Sequence, residues 1–141
     1  MSCVLQISGK NLDLDSFLAK SRLKPYKKGY KGDTQFRNKP DGKKLSESYI
    51  TFLASNADFE DLSSQIRDTI KFLKKNRKGL SYVSKVKGID SAFLHFGIDL
   101  RIDKENILVQ TDIFPSELLK VAGDLKIDIA FSIYPPDLEV S

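Results

Sequence analysis

Ala92-Phe93-Leu94-His95-Phe96-Gly97-Ile98-Asp99-Leu100-Arg101-Ile102 alternates without a break. Ala92, Leu94, Phe96, Ile98, Leu100 and Ile102 fall on one side, and Phe93, His95, Gly97, Asp99, Arg101 and Asp103 on the other. That period of two is the pattern of a strand with one buried face. Lys104-Glu105-Asn106 then offers a turn. Ile107, Val109, Thr111 and Ile113 alternate with Leu108, Gln110 and Asp112, so the whole stretch predicts a hairpin.

Outward from this hairpin the chain reads as alternating strands and helices. Downstream, Pro115 or Ser116 opens a helix with Leu118, Leu119, Ala122 and Leu125 inward. A last strand follows with Ile127, Ile129, Phe131 and Ile133 on one face, ended by Pro135-Pro136. Upstream, Asp58 precedes Phe59, Leu62, Ile66, Ile70 and Leu73, one apolar stripe at helical spacing, with Asp61 placed as in a capping box and Lys78-Gly79 as the stop. Tyr49-Ile50-Thr51-Phe52-Leu53 suits a central strand buried on both faces. Val4, Leu5 and Ile7 make a first strand ending at Gly9, and Asn11 or Asp13 caps a helix carrying Leu14, Phe17, Leu18 and Leu23.

From Tyr49 onward this order is β-α-β-β-α-β. The expected fold is therefore α+β: one domain over residues 1–141 with a ferredoxin-like core, an added N-terminal β-α unit, a mixed and mainly antiparallel sheet, and helices on one face. A chain of 141 residues fits one domain, and 40% apolar residues with nine Phe and five Tyr supply a core. With a mean hydropathy of −0.30 and no long apolar run, no membrane span is expected. Met-Ser-Cys-Val-Leu-Gln at the start lacks the charged and apolar regions of a signal peptide, which points to the cytoplasm. One cysteine, Cys3, excludes an internal disulfide, and with a single histidine it excludes a Cys/His zinc cage. At the start of a strand, Cys3 reads as a small buried apolar residue rather than a reactive thiol.

The net charge of +4 conceals segregation. Lys20 to Lys44 holds ten basic residues against Asp33 and Asp41, Lys71 to Lys87 holds seven and no acid, and the rest of the chain is strongly acidic. The second block falls at a helix end, where cations offset the macrodipole. The first coincides with a long loop, about residues 24–46, that carries glycines, prolines and the aromatics Tyr26, Tyr30 and Phe36. Such loops are functional or disordered. Lys24, Tyr26, Lys27, Lys28, Tyr30, Lys31, Arg37, Lys43 and Lys44 are the candidates there, either for an acidic protein partner or for nucleic acid, with lysines on phosphates and tyrosines stacking on bases.

A second candidate group lies on the sheet face away from the helices. His95, Asp99, Asp112 and Asp128, with Arg101, Gln110 and Ser132 nearby, are residue types that ligate a divalent metal or divide acid and base roles, although a solvated strand face yields the same list by itself. The face is acidic and offers few aromatics beyond Phe93 and Tyr134, which disfavours RNA binding of the stacked-sheet kind. No phosphate loop, nucleophile elbow or HExxH helix occurs, so no feature supports catalysis, no cofactor is implied, and no metal is assigned.

Leu23-Lys24-Pro25, Lys31-Gly32-Asp33 and Asp41-Gly42-Lys43-Lys44 punctuate the loop, Tyr49 opens the next strand, and Pro115-Ser116-Glu117-Leu118-Leu119 precedes a helix with Ala122-Gly123 before the run closing on Ile133-Tyr134. In these features, across residues 3–138, the chain resembles the bacterial domain-of-unknown-function 4279 family, which usually has Trp where this sequence has Tyr49. The resemblance implies an α/β domain with a mixed sheet and transfers no catalytic residues. It also implies that Gly32 permits a tight turn and that Asp33 ties the loop to the body. The expected role is a small non-enzymatic binding or accessory module, with an immunity-type role among the expectations, that engages an acidic protein or self-associates through the open sheet face. Nucleic-acid binding through the loop is the alternative, and a ligand or metal site on the sheet face a second one.

Overall fold

The computed structural model describes residues 2–35, 38–39, 41–103 and 105–135. Strand β1 (Cys3–Gly9) leads to helix α1 (Leu14–Ser21), strands β2 (Lys27–Gly29) and β3 (Ser48–Ser55), and helices α2 (Leu62–Lys75) and α3 (Arg77–Leu80). A 3-10 turn at Ser81–Ser84, strand β4 (Ser91–Asp99), helix α4 (Ser116–Asp124) and strand β5 (Asp128–Tyr134) complete the order. The five strands form one open mixed sheet in the order β2-β3-β1-β4-β5, antiparallel except for the parallel β4–β5 pair. No helix among the described residues is long and apolar enough to cross a membrane.

Alternation sets the two faces. Cys3, Leu5 and Ile7 of β1, Ile50 and Phe52 of β3, and Leu94, Phe96 and Ile98 of β4 are almost fully buried and meet Phe17 of α1, Ile66 and Leu73 of α2, and Leu118, Val121 and Ala122 of α4. The helices start where the chemistry dictates. Asp13 accepts a hydrogen bond from the Ser16 backbone and Asp61 one from Ser64, each at 3.0 Å. Helix α1 stops at Arg22, which turns left-handed at φ 57° and donates its N–H to Leu18 O. Gln65, fully buried in α2, donates to the carbonyls of Phe59 and Gly97 and so pins that helix to β4.

Several expectations need correction. The second hairpin strand, Ile107–Ile113, is not a strand. Both edges of β4 are taken, one by β1 and the other by β5, and the parallel partner arrives with α4, which adds a buried helix face that a bare hairpin arm cannot supply. From β3 onward the order is therefore β-α-β-α-β, and the ferredoxin-like core is not confirmed. The β-α unit expected as an addition supplies the central strand, β1. β3 is second from the edge, and Tyr49, Thr51 and Leu53 on its outer face are only half-buried.

Helix α2 begins at the Asp61 cap rather than Asp58. It ends at Lys75, before the expected Lys78-Gly79 stop, and after Asn76 a separate one-turn helix, α3, runs through Gly79 to Leu80. Leu119, expected inward, is 51% exposed. The loop contains a strand that the sequence reading missed, β2, whose three residues are too few to show a period.

Candidate functional site

The basic loop is ordered along its described length. Gly32 takes φ +92°, and the Asp33 carboxylate accepts from Tyr30 N–H at 3.0 Å while Asp33 N–H donates back to Tyr30 O at 2.9 Å. These bonds make the tight turn at Gly32 that the resemblance implied, with Asp33 holding its own turn rather than the body. Leu45 N–H donates to Asp33 O, Gly32 N–H to Leu45 O and Gln35 N–H to Lys43 O, so residues 33–35 pair with 43–45 as a small arm. Two side chains tie the arm to the body: Ser48 Oγ accepts from Lys31 N–H, and Tyr30 OH donates to Asp15 of α1 at 2.7 Å. Arg37 and Phe36 lie outside the described residues.

Between this arm and edge strand β2 lies a cleft of about 800 Å³ walled by Pro25, Tyr26, Lys27, Lys28, Leu45 and Tyr49. A volume of that size accommodates a peptide segment or a drug-sized ligand. Two of the candidate lysines, Lys27 and Lys28, line the cleft, and Lys24, Lys31, Lys43 and Lys44 are not among its walls. None of the ion pairs among the described residues involves Lys24, Lys27, Lys28, Lys31, Lys43 or Lys44, all of which are exposed. The one acid on its wall, Asp33, is engaged by the Tyr30 backbone. Of the two tyrosines, Tyr26 is 56% exposed, whereas Tyr30 is held by Asp15 and covered by Lys28, whose Nζ lies 5.7 Å from the ring centre. Sequence reading found the lysines and tyrosines here. Thr34, Gln35, Asn38, Leu45 and Tyr49 were not expected as walls, because the arm's pairing of 33–35 with 43–45 and the β2–β3 ladder that sets Tyr49 opposite Gly29 are tertiary.

The second basic block behaves differently. Lys74 pairs with Glu117 and Arg77 with Asp124, so these cations clamp α2 and α3 to α4. These are exposed pairs, each worth about 0.2–1 kcal/mol.

The sheet-face candidates do not converge. His95 Nε2 lies 2.6 Å from the Ser132 hydroxyl, a cross-strand pair flanked edge-on by Phe93. Asp99 and Asp112 are joined by Arg101, which donates to them at 2.9 and 2.6 Å, while Gln110 donates to Asp112 and to the Asp99 carbonyl. Asp112 reaches this cluster from the irregular segment rather than from a strand, a correction to its expected place on the sheet. Asp128 starts β5 opposite Phe93, and Asp99 lies at the far end opposite Tyr134. Six strand residues, roughly 20 Å, separate the two carboxylates.

Electrostatics follow from these contacts. Burial opposes ionisation of Asp112, but the hydrogen bonds from Gln110 and Arg101 and the Arg101 charge outweigh it and hold the carboxyl below its ordinary range. Arg101 is held correspondingly more basic, chiefly by its bond to Asp112. Among the described residues, no three His, Cys, Asp or Glu side chains gather as a metal-binding group. The Cys3 thiol is pushed up to about 12, chiefly by burial, and so stays protonated.

None of the family models, curated proteins or solved structures compared with the chain matches it.

Proposed function

We propose that the protein is a non-enzymatic binding module whose basic cleft takes an extended, acidic segment of a protein partner. The observation that carries this is the position of the cleft on the sheet edge. β2 is the outermost strand, so its outer backbone groups are free to accept an added strand. Lys27 and Lys28 stand on either face of that strand, and Pro25, Leu45 and Tyr49 give apolar pockets for intervening side chains. Backbone pairing supplies affinity in such a mode, and the lysines select acidic sequence. The resemblance to the domain-of-unknown-function 4279 family is compatible with an accessory role of this kind and adds no chemistry to it.

Nucleic acid is the second reading, favoured by the exposed ring of Tyr26 beside the lysines. Its weakness is Tyr30, which is tied to Asp15 and covered by Lys28 and so is not free to stack on a base.

Fluorescence-anisotropy titration with a labelled Glu/Asp-rich peptide, and with single-stranded DNA and RNA, separates the two. The peptide is expected to bind wild type, to weaken with salt, and to lose affinity about tenfold in Lys27→Ala/Lys28→Ala, which equals the ~1.4 kcal/mol that two partly screened charge contacts supply. Nucleic-acid binding that persists at physiological salt, with no peptide binding, would replace this reading by the alternative. No binding of either probe at low salt would remove the cleft as a site for anions.

A further inference from the structure

The opposite edge of the sheet has a different character. β2 is three residues long and carries two lysines, which restrict what pairs with it to acidic segments. β5 is seven residues long and carries one charge, Asp128, at its very start, with no proline or bulge in its length. Among the described residues, no backbone hydrogen bond joins its outer edge to another segment.

The side chains beside this edge are unprotected too. Phe131 and Ile133 share the face of Phe96 and Ile98, where a helix layer would normally cover them, yet they are 55% and 50% exposed. Phe131 stacks on Phe114 at 5.9 Å, and Phe114 meets Phe96 edge-on at 5.3 Å, so an aromatic ladder runs from the core to the surface. The segment expected as a hairpin strand adds Leu108, Val109 and Ile113, each more than 75% exposed, and Ile102 at 48%. A depression of about 380 Å³ lies among Ile98, Ile102, Phe114, Phe131 and Ile133. Phe131, Ile133 and Ile102 thus leave half-exposed apolar side chains along an unpaired strand edge, a place that folded domains ordinarily keep short, charged or covered.

We infer that this edge pairs with a second copy of the chain, β5 against β5 in antiparallel register about a two-fold axis at Phe131. The sequence of β5, Asp128-Ile129-Ala130-Phe131-Ser132-Ile133-Tyr134, is complementary to its own reverse. In this register Phe131 faces Phe131 of the second copy and Ile129 faces Ile133, all on the apolar side. On the other face Ala130 meets Ser132, and the Asp128 carboxylate meets the Tyr134 hydroxyl, a donor for the one charge on the strand. A two-fold axis requires a patch that matches itself, and this strand does so at every position. Asp112, which lines the depression, is ion-paired with Arg101, a cation it shares with Asp99.

The result is a continuous ten-stranded sheet. β2 lies at the far end of each half, so both basic clefts remain open, about 43 Å apart at nine strand spacings. If the proposed function holds, the dimer is bivalent for a partner with repeated acidic segments; the pairing itself rests on none of that reading.

The test measures solution mass against concentration by light scattering and sedimentation velocity, with no partner present. Wild type is expected to approach twice the 15.9 kDa of the chain as concentration rises through the micromolar range, and Ile133→Lys, at a half-exposed position that should leave folding intact, is expected to stay monomeric with unchanged circular dichroism. A second variant reads the register. Under mild oxidation Phe131→Cys is expected to cross-link rapidly, since residues directly opposite across antiparallel strands lie within disulfide reach, whereas Leu119→Cys, equally exposed on α4, should not. Wild type that remains monomeric throughout, a dimer that survives Ile133→Lys, or equal cross-linking of the two cysteine variants would each overturn the proposal.

Discussion

Glycine-to-alanine substitution at two helical positions is expected to shift stability in opposite directions, because the two sites differ only in what a methyl group would touch. Gly79 sits in the short helix α3. A Cβ there would lie 2.6 Å from the Ser21 carbonyl oxygen and 3.0 Å from Leu23 side-chain carbons. The oxygen belongs to the backbone at the end of α1 and cannot rotate away, so α1 and α3 must separate by several tenths of an ångström.

Overpacking of this kind costs about 1–3 kcal/mol, while alanine's helix preference returns at most about 1 kcal/mol and less in a helix of one turn. The clash therefore wins, with a net loss of about 1–2 kcal/mol. Gly123, in the last turn of α4, has nothing within 4 Å of its ideal Cβ. There the propensity term stands alone and Gly123→Ala should gain about 0.5 kcal/mol. Thermal unfolding followed by circular dichroism should show Tm falling by about 3–8 °C for the first variant and rising by about 2 °C for the second. A rise for Gly79→Ala would refute the close packing of α1 against α3.

Three further outcomes are expected. Asp112 has a folded-state pKa below its ordinary value, so its contribution to stability is complete above about pH 5 and disappears as pH falls through the depressed value; amide protection factors at Arg101 and its neighbours, corrected for the intrinsic pH dependence of exchange, should therefore fall below pH 4 in wild type, and Arg101→Gln should show low protection already at neutral pH. Equal acid sensitivity in the two proteins would count against the Arg101 clamp. Cys3, with its thiol near 12, should resist a thiol-specific reagent at pH 8 in the native protein and react fully in denaturant; rapid native labelling would mean that β1 opens at its start. Replacing Asp33 by Ala removes the acceptor for Tyr30 N–H and should cost less than about 1 kcal/mol overall while speeding amide exchange at Tyr30, Gly32 and Leu45. Unchanged protection at those amides would show that the arm is held by its backbone pairing alone.

The amino-acid sequence by itself determined the elements whose signal is local. The buried side of β4 follows from the alternation of Ala92, Leu94, Phe96 and Ile98, and α1 from the Asp13 cap with Leu14 and Phe17. The lysines of the cleft and the inertness of Cys3 were legible in the same way. Only tertiary structure decided which segments pair.

Ile107–Ile113 alternates as well as β5 does, yet a strand edge accepts one neighbour, and β4 gains more from β5 because α4 comes with it and buries Leu118, Val121 and Ala122. The same competition drew β1 into the middle of the sheet, set Asp99 and Asp112 against Arg101 instead of a common ligand, and left one apolar edge uncovered. Periodicity states which face a residue prefers and carries no information about which edge is already occupied. That depends on the summed burial of all the elements at once.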